Sequence, residues 1–358
     1  MHAHNQGRLR HITHLMVLCA LQQAYAQDEH GVGHAFASDV DRGASLLQAS
    51  LESLSRRGAA PASMHVTTTR SEAFGAADLS LIERFEVTLH RDGDRIDVFN
   101  RRYSYSGRDD ATLAFESQVL WTGSRWLQRQ QGIVGGQPDT SHSYAYTSAE
   151  PTYYERVRNG LTEGGPADGF TPFDDHHVAA ILLEAHDRVV RPRTEKIDGV
   201  ECAVIEGTHD ARGHYTVWVD LAEGHLVRRA RIVKTGQQLE PNPLSPTQWS
   251  KLECVIEHVR VAHVDGRTVP VEAEMTMGWT ASDGSPGLRQ WLKVEKSGMD
   301  FSPDFESAGA FITDAPPGTR FRDLDLGISY ILQEDGSLSH AIPEDLLNST
   351  FALSEGDE

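Results

Sequence analysis

Apolar residues in this chain recur mainly at every second position, in runs separated by short turns that contain glycine. That period of two is the mark of half-buried β-strands, and it dominates the sequence. The clearest stretch is 200–234. Cys202 to Thr208 is rich in β-branched and apolar residues. Tyr215, Val217 and Val219 then alternate with Thr216, Trp218 and Asp220, and Leu226 to Lys234 follows the turn Ala222-Glu223-Gly224. Three antiparallel strands in a meander are predicted here.

The same reading places strands at Met64 to Arg70, Ile82 to Arg91, Arg95 to Tyr105, Leu113 to Trp121 and Trp126 to Gln131. Asp92-Gly93-Asp94 and Thr122-Gly123 mark hairpin turns. Phe85, Val87 and Leu89 share one face, against Arg84, Glu86 and Thr88 on the other. Lys251 to Val264 and Arg267 to Trp279 form the longest hairpin, turning at Asp265-Gly266. In its second strand Val269, Val271, Ala273, Met275, Met277 and Trp279 lie on one face. Leu288 to Glu295 and Gly327 to Gln333 add further strands, while Gly, Pro, Ser and Thr in 132–172 read as a long connection carrying Tyr144, Tyr146, Tyr153 and Tyr154.

Two segments break the period. Asp41 to Arg57 carries Leu46, Leu47, Leu51 and Leu54 at helical spacing, and Asp174 to Arg188 carries Val178, Ile181, Leu182 and Ala185. The fold class predicted is therefore α+β and mostly antiparallel: one strongly curved half-barrel sheet of about 11–13 strands, with two or three helices covering the concave face. An apolar space between sheet and helices would suit an acyl chain, and an ordinary filled core is the alternative.

The N-terminus changes the picture of where the chain works. Arg8 and Arg10 precede the apolar run Leu15 to Leu21, and Ala24-Tyr25-Ala26 fits a cleavage site, so residues 1–26 read as an export signal. Residues 27–38 read as a flexible N-terminus, 39–335 as one domain, and 336–358 as an acidic tail. Without residues 1–26 the chain keeps 31 basic and 52 acidic residues, a formal charge of −21. Such a surface repels phosphate backbones, which argues against nucleic acid as a partner. Cys202 and Cys254 then remain, either as one bridge or as two buried thiols.

Candidate chemistry is sparse. Asp174-Asp175-His176-His177, with Glu184 and His186, lacks the two histidines at i and i+4 around a glutamate that a metalloprotease helix needs, and reads as a solvated helix start. Gly132-Ile133-Val134-Gly135-Gly136 has no phosphate-loop lysine, and no G-x-S-x-G elbow is present. Asp220 and Glu223 fall at a turn, where acids are common. No catalytic set, metal or cofactor is predicted. Trp218, Trp279, Trp291, Met275 and Met277 offer large or adaptable apolar side chains on strand faces.

Several segments carry a family resemblance: the N-terminal signal and amphipathic helix, Ile197-Asp198-Gly199-Val200-Glu201-Cys202-Ala203-Val204-Ile205-Glu206-Gly207, and Tyr215-Thr216-Val217-Trp218-Val219-Asp220 running on to Gly224-His225-Leu226-Val227-Arg228-Arg229. The chain resembles the LolA/LolB-type periplasmic carriers of outer-membrane lipoproteins, as a large, divergent relative, and Phe311 to Tyr330 resembles the end of the larger members. The resemblance implies an open half-barrel lidded by helices, holding lipid or lipoprotein acyl chains in the periplasm without enzymatic activity. It implies membrane-associated donor and acceptor partners and a monomeric carrier. The family's lid-locking arginine has no counterpart that the sequence identifies. On this reading Val271, Met275, Met277, Trp279, Trp218, Leu47 and Leu51 line the cavity, and the helix Asp41–Arg57 is its lid. An envelope scaffold with a filled half-barrel, and a hydrolase built on the Tyr-rich connection, are the alternatives.

Overall fold

A computed structural model of the protein describes residues 39–56, 61–93, 95–105, 111–121, 126–134, 136–148, 165–171, 176–222, 224–239, 249–311, 319–331, 333, 339 and 342–343. Helix α1 (Asp39–Arg56) precedes six strands: β1 (Ser63–Phe74), β2 (Ser80–Asp92), β3 (Arg95–Tyr105), β4 (Ala111–Trp121), β5 (Trp126–Val134) and β6 (Gln137–Ser148). Helix α2 (Val178–Glu184) is followed by β7 (Val189–Val190), β8 (Glu195–Ile197), β9 (Val200–His209), β10 (Gly213–Asp220) and β11 (Val227–Thr235). Then come β12 (Trp249–Val264), β13 (Arg267–Ala281), β14 (Pro286–Asp300), β15 (Arg320–Asp323), β16 (Ile328–Ile331) and β17 (Ile342–Pro343).

All seventeen described strands belong to one sheet. Twelve have eight residues or more, β1–β6 and β9–β14, and alternation predicts all of these except β6. The pairings run β8-β9-β10-β11-β12-β13-β14-β1-β2-β3-β4-β5-β6-β15-β16-β17, with β7 sharing the outer edge of β9. Every pair is antiparallel except β6–β15. No described pairing joins the two ends, so the sheet is an open, curved one, and the class is α+β with mostly antiparallel strands. Its two meanders, β2–β6 and β9–β14, are joined by β1, which pairs with β14 on one side and β2 on the other. The described residues lie in one compact unit, Asp39–Glu358.

Local chemistry explains the turns. Asp265 and Gly266 both have positive φ (50° and 73°), as a two-residue hairpin turn with right-handed strand twist requires. Asp198 and Gly199 repeat this at the β8–β9 turn, with φ of 49° and 84°.

Two expectations change. The second helix is shorter than 174–188, because His177 caps its start, accepting from the amide of Ala179 (3.1 Å), and Ala185 is already extended. Arg188, read as helical, turns back so that its guanidinium satisfies the carbonyls of Leu182 and Leu183. The start of the long connection is not irregular: β5 runs to Val134 and pairs with β6, since Ser, Thr and Tyr fit a pleated surface as well as a loop. Residues 1–38, Thr122-Gly123, Tyr153, Tyr154, Asp174-Asp175, Glu223, most of the tail and the Leu54 side chain lie outside the described residues.

The main core lies between α1, α2 and β9–β13. Leu47, Val178, Ile181, Leu182, Ile205, Tyr215, Val217, Ile232, Ile256 and Met275 are buried in it. Gly43 lets α1 come close to β7: a Cβ there would stand 2.9 Å from Cγ2 of Val190. A second cluster, Met64, Val87, Leu89, Ile96, Val98 and Val119, lies on β1–β4. A third, Cys202, Val204 and Trp218, lies on the other face of β9 and β10.

Candidate functional site

Cross-strand register decides which side chains share a face, since residues directly opposite point the same way. One row of partners reads Ile205, Val217, Ala230, Ile256, Met275 and Leu292 across β9–β14, then Arg70, Glu83 and Ser104 across β1–β3. The next reads Tyr215, Ile232, Cys254, Met277, Gln290 and Glu72. The first two-thirds of each row packs beneath the helices. This helix-bearing face is the inner one.

Met275 and Met277 are 1% and 5% exposed, in the same buried cluster as Leu47, and Leu51 and Trp279 pack at the margin of that cluster. Five of the predicted lining residues therefore meet. Val271 does not join them: it is half-buried beside the irregularity that interrupts the β12–β13 ladder between Arg260 and Val261. Trp218 is on the outer face, its indole N–H donating to Glu195 (2.9 Å) and its ring 5.0 Å beneath the Arg229 guanidinium. Trp291 is also on that face, donating to Glu274 (3.1 Å). The inner cluster is packed directly against the helices, with Leu47, Ile181, Leu182 and Val178 at 0–1% exposure.

No bridge joins Cys202 and Cys254; both are free thiols. β10 and β11 separate their strands, and the two side chains lie on opposite faces, Cys254 in the inner core and Cys202 in the outer cluster. Burial pushes the Cys202 thiol up to about 11, with the Asp220 carboxylate adding to the effect. It is a neutral thiol at physiological pH and no nucleophile.

Where the inner face passes onto β1–β3 it becomes ionic at one end. Arg70 donates to Glu83 (3.2 Å) and also pairs with Glu72; Arg102 pairs with the other oxygen of Glu83, and the Gln290 amide donates to Glu72. Glu83 is 8% exposed, so this network is its substitute for water. Nearer the other end the second apolar cluster takes over, with Val66, Trp121 and Met299 packed against it. Lys296 on the same face pairs with Asp168 at the end of a short 3₁₀ turn, Pro166–Asp168. Sequence reading missed this network, although Glu83 continues the inward series of Phe85, Val87 and Leu89. A charged residue in phase with apolar ones was the available signal.

On the outer face, a groove of about 970 Å³ opens between the β8–β9 turn, the β10–β11 turn and β12, lined by Ile197, Asp198, Val200, Glu201, Arg228 and Val261 among others. Its floor is a buried ion pair. Asp220, fully buried, accepts from Nε (2.9 Å) and Nη2 (2.7 Å) of Arg228, whose Nη1 donates to the carbonyl of Val259 (3.2 Å). Asp220 is thus committed to structure and its other oxygen accepts from the amide of Ala222 (2.7 Å). His177, from the candidate metal cluster, is a helix cap with its ring edge-on to Phe170. Among the described residues no group of three or more His, Cys, Asp or Glu is placed to hold a metal ion, and no helix is long and apolar enough to cross a membrane.

No protein-family model and no curated protein matches the chain. Solved structures similar to it include a DUF1329 family protein from Desulfovibrio piger, at 12% identity and a TM-score of 0.37, covering 78% of this chain and 97% of that one. A LolA superfamily protein from Nitrosomonas europaea is similar at 13% identity and a TM-score of 0.33, covering 75% and 98%. A putative outer membrane lipoprotein-sorting protein domain from Vibrio parahaemolyticus is similar at 11% and 0.32, covering 72% and 92%. Likenesses at this level specify neither a ligand nor a residue.

Proposed function

We propose that the protein is a non-enzymatic carrier of lipid or lipoprotein acyl chains in the periplasm, with α1 as the lid of its inner face. The observation that carries this reading is the extent of apolar inner surface. It runs beneath α1 and α2 over β9–β13 and resumes as a second cluster on β1–β4. An open sheet whose inner face carries apolar clusters both beneath and beyond its two described helices fits a site whose occupant changes.

Magnitudes allow the exchange. Leu47 is fully buried and Leu46 and Leu51 partly so, which holds α1 by roughly 4–6 kcal/mol of apolar burial. Relative to water, an acyl chain gains about 0.8 kcal/mol per buried CH₂, so ten or so methylenes match and exceed the lid. In this mechanism α1 lifts, the chain replaces its leucines in the buried cluster that also holds Met275 and Met277, and release follows when α1 or an acceptor competes. Export through residues 1–26 and cleavage after Ala26 belong to the same proposal.

A second reading is a scaffold with a filled half-barrel, and the close packing of Leu47, Ile181 and Met275 favours it. Native mass spectrometry of the exported protein, followed by organic extraction, separates the two. A bound acylated species supports the carrier. Protein that is bare and takes up no fluorescent fatty acid leaves the scaffold.

A further inference from the structure

The β12–β13 hairpin outgrows its neighbours on the β11 side. Pairing of β11 with β12 stops at Ala230↔Ile256, whereas β12 stays paired to β13 as far as Val264↔Arg267. The break is a bulge at His258 and Val259, where the ladder jumps from Glu257 to Arg260. His258 there has φ of +56°, a left-handed conformation that a non-glycine side chain disfavours. Arg228 pins the bulge by its bond to the Val259 carbonyl, and Arg228 is itself held by Asp220. The fold thus holds the far half of β12 away from β11, and the groove fills the gap.

Among the described residues no strand pairs with the edge left there. The two-residue turn makes Val264–Arg267 a hydrogen-bonded pair, so the alternation of an antiparallel ladder turns the backbone N–H and C=O of Val261 and His263 away from β13. Val261 lines the groove, with Ile197 and Val200 across from it. Its charge is lopsided. Arg228 is neutralised by Asp220, and Arg260 is paired to Glu272 (3.0 Å). Among the described residues Glu201 accepts from the neutral hydroxyl of Thr194 (2.7 Å), and Asp198 faces the half-exposed His258 at 3.6 Å. Lys196 stands opposite Glu201 across β8–β9 without an ion pair to it, so among the described residues the rim carries two acids, Asp198 and Glu201, with no arginine or lysine partner, on a chain of net charge −19.

We infer that this groove binds an extended, basic segment of another protein, which adds as a strand to β12 at Val261 and His263 and places a Lys or Arg between Asp198 and Glu201. Backbone pairing would supply the affinity, and the acidic rim the choice of side chain. The surface lies opposite the inner face and does not depend on what that face carries.

The probe is a dye-labelled pentapeptide, Thr-Val-Lys-Val-Thr, titrated into the full chain by fluorescence anisotropy at low salt. Its counterparts carry Glu in place of Lys, or N-methyl groups on both valine amides. The lysine peptide is expected to bind, the glutamate peptide at least about tenfold more weakly, and the N-methylated one not measurably. Asp198→Asn with Glu201→Gln should cut affinity for the lysine peptide about tenfold and remove the preference over glutamate. Val261→Pro should abolish binding, and edge strands tolerate proline. If that variant fails to fold, the N-methylated peptide still decides the role of the backbone. The inference is overturned if the lysine peptide does not bind at about 1 mM, if N-methylation or charge reversal leaves binding unchanged, or if the edge instead pairs with a second copy of the chain.

Discussion

One face of one sheet behaves in two ways. Over β9–β13 the inner row Ile205, Val217, Ala230, Ile256 and Met275 is apolar and lies under two helices. Over β1–β3 the same row continues as Arg70, Glu83 and Ser104, and the charges satisfy one another. The difference teaches what determines a lid. Helices dock where a row offers surface that water disfavours, and they are dispensable where a row carries its own hydrogen-bond partners.

The largest expected effect is in the apolar half. Met275→Ala or Ile256→Ala should each cost about 2–5 kcal/mol, read as a lower denaturant midpoint at unchanged m-value, because the helices hold the cavity open. On the outer face of the same strands, Cys202 gives a pH signature. Its folded pKa of about 11 lies above the unfolded value near 9, so the native state binds the extra proton. Stability should therefore be intact below pH ~9 and fall by about 2–3 kcal/mol as pH rises to ~11. Cys202→Ala should flatten that fall relative to wild type. In the polar half, Glu83→Gln should cost about 1–3 kcal/mol, since it weakens the bonds from both Arg70 and Arg102, and the loss should shrink in high salt. The smallest effect belongs to exposed pairs such as Arg101–Glu116, where Glu116→Gln should change stability by less than about 1 kcal/mol. Equal costs for Met275→Ala and Glu116→Gln would break the comparison.

What was legible in the sequence is what local chemistry controls. Alternation and glycine turns located eleven of the twelve long strands, β6 having read as a connection, and the leucine spacing located α1. Non-local pairing was not legible: nothing in Ser63–Phe74 announces that β1 stands between two meanders. That same gap misplaced Trp218. Its alternation against Val217 was visible, yet only the register Val217↔Ala230↔Ile256↔Met275 reveals that Val217, not Trp218, shares a face with Met275. Cys202 and Cys254 are separated by the same geometry. The ionic network escaped because Glu83 finds its partners on β1 and β3, distant in sequence from it.

The account turns on whether α1 is a lid. Cysteines at Gly43 and Val190 would bridge α1 to β7, since a Cβ at 43 stands 2.9 Å from Cγ2 of Val190, close to a disulfide's Cβ-to-sulfur span. The measurement is uptake of a fluorescent fatty acid by the Gly43→Cys, Val190→Cys protein, oxidised and then reduced. The account predicts no uptake with the bridge closed and recovery on reduction. Equal uptake in both states, or none in either, would contradict it.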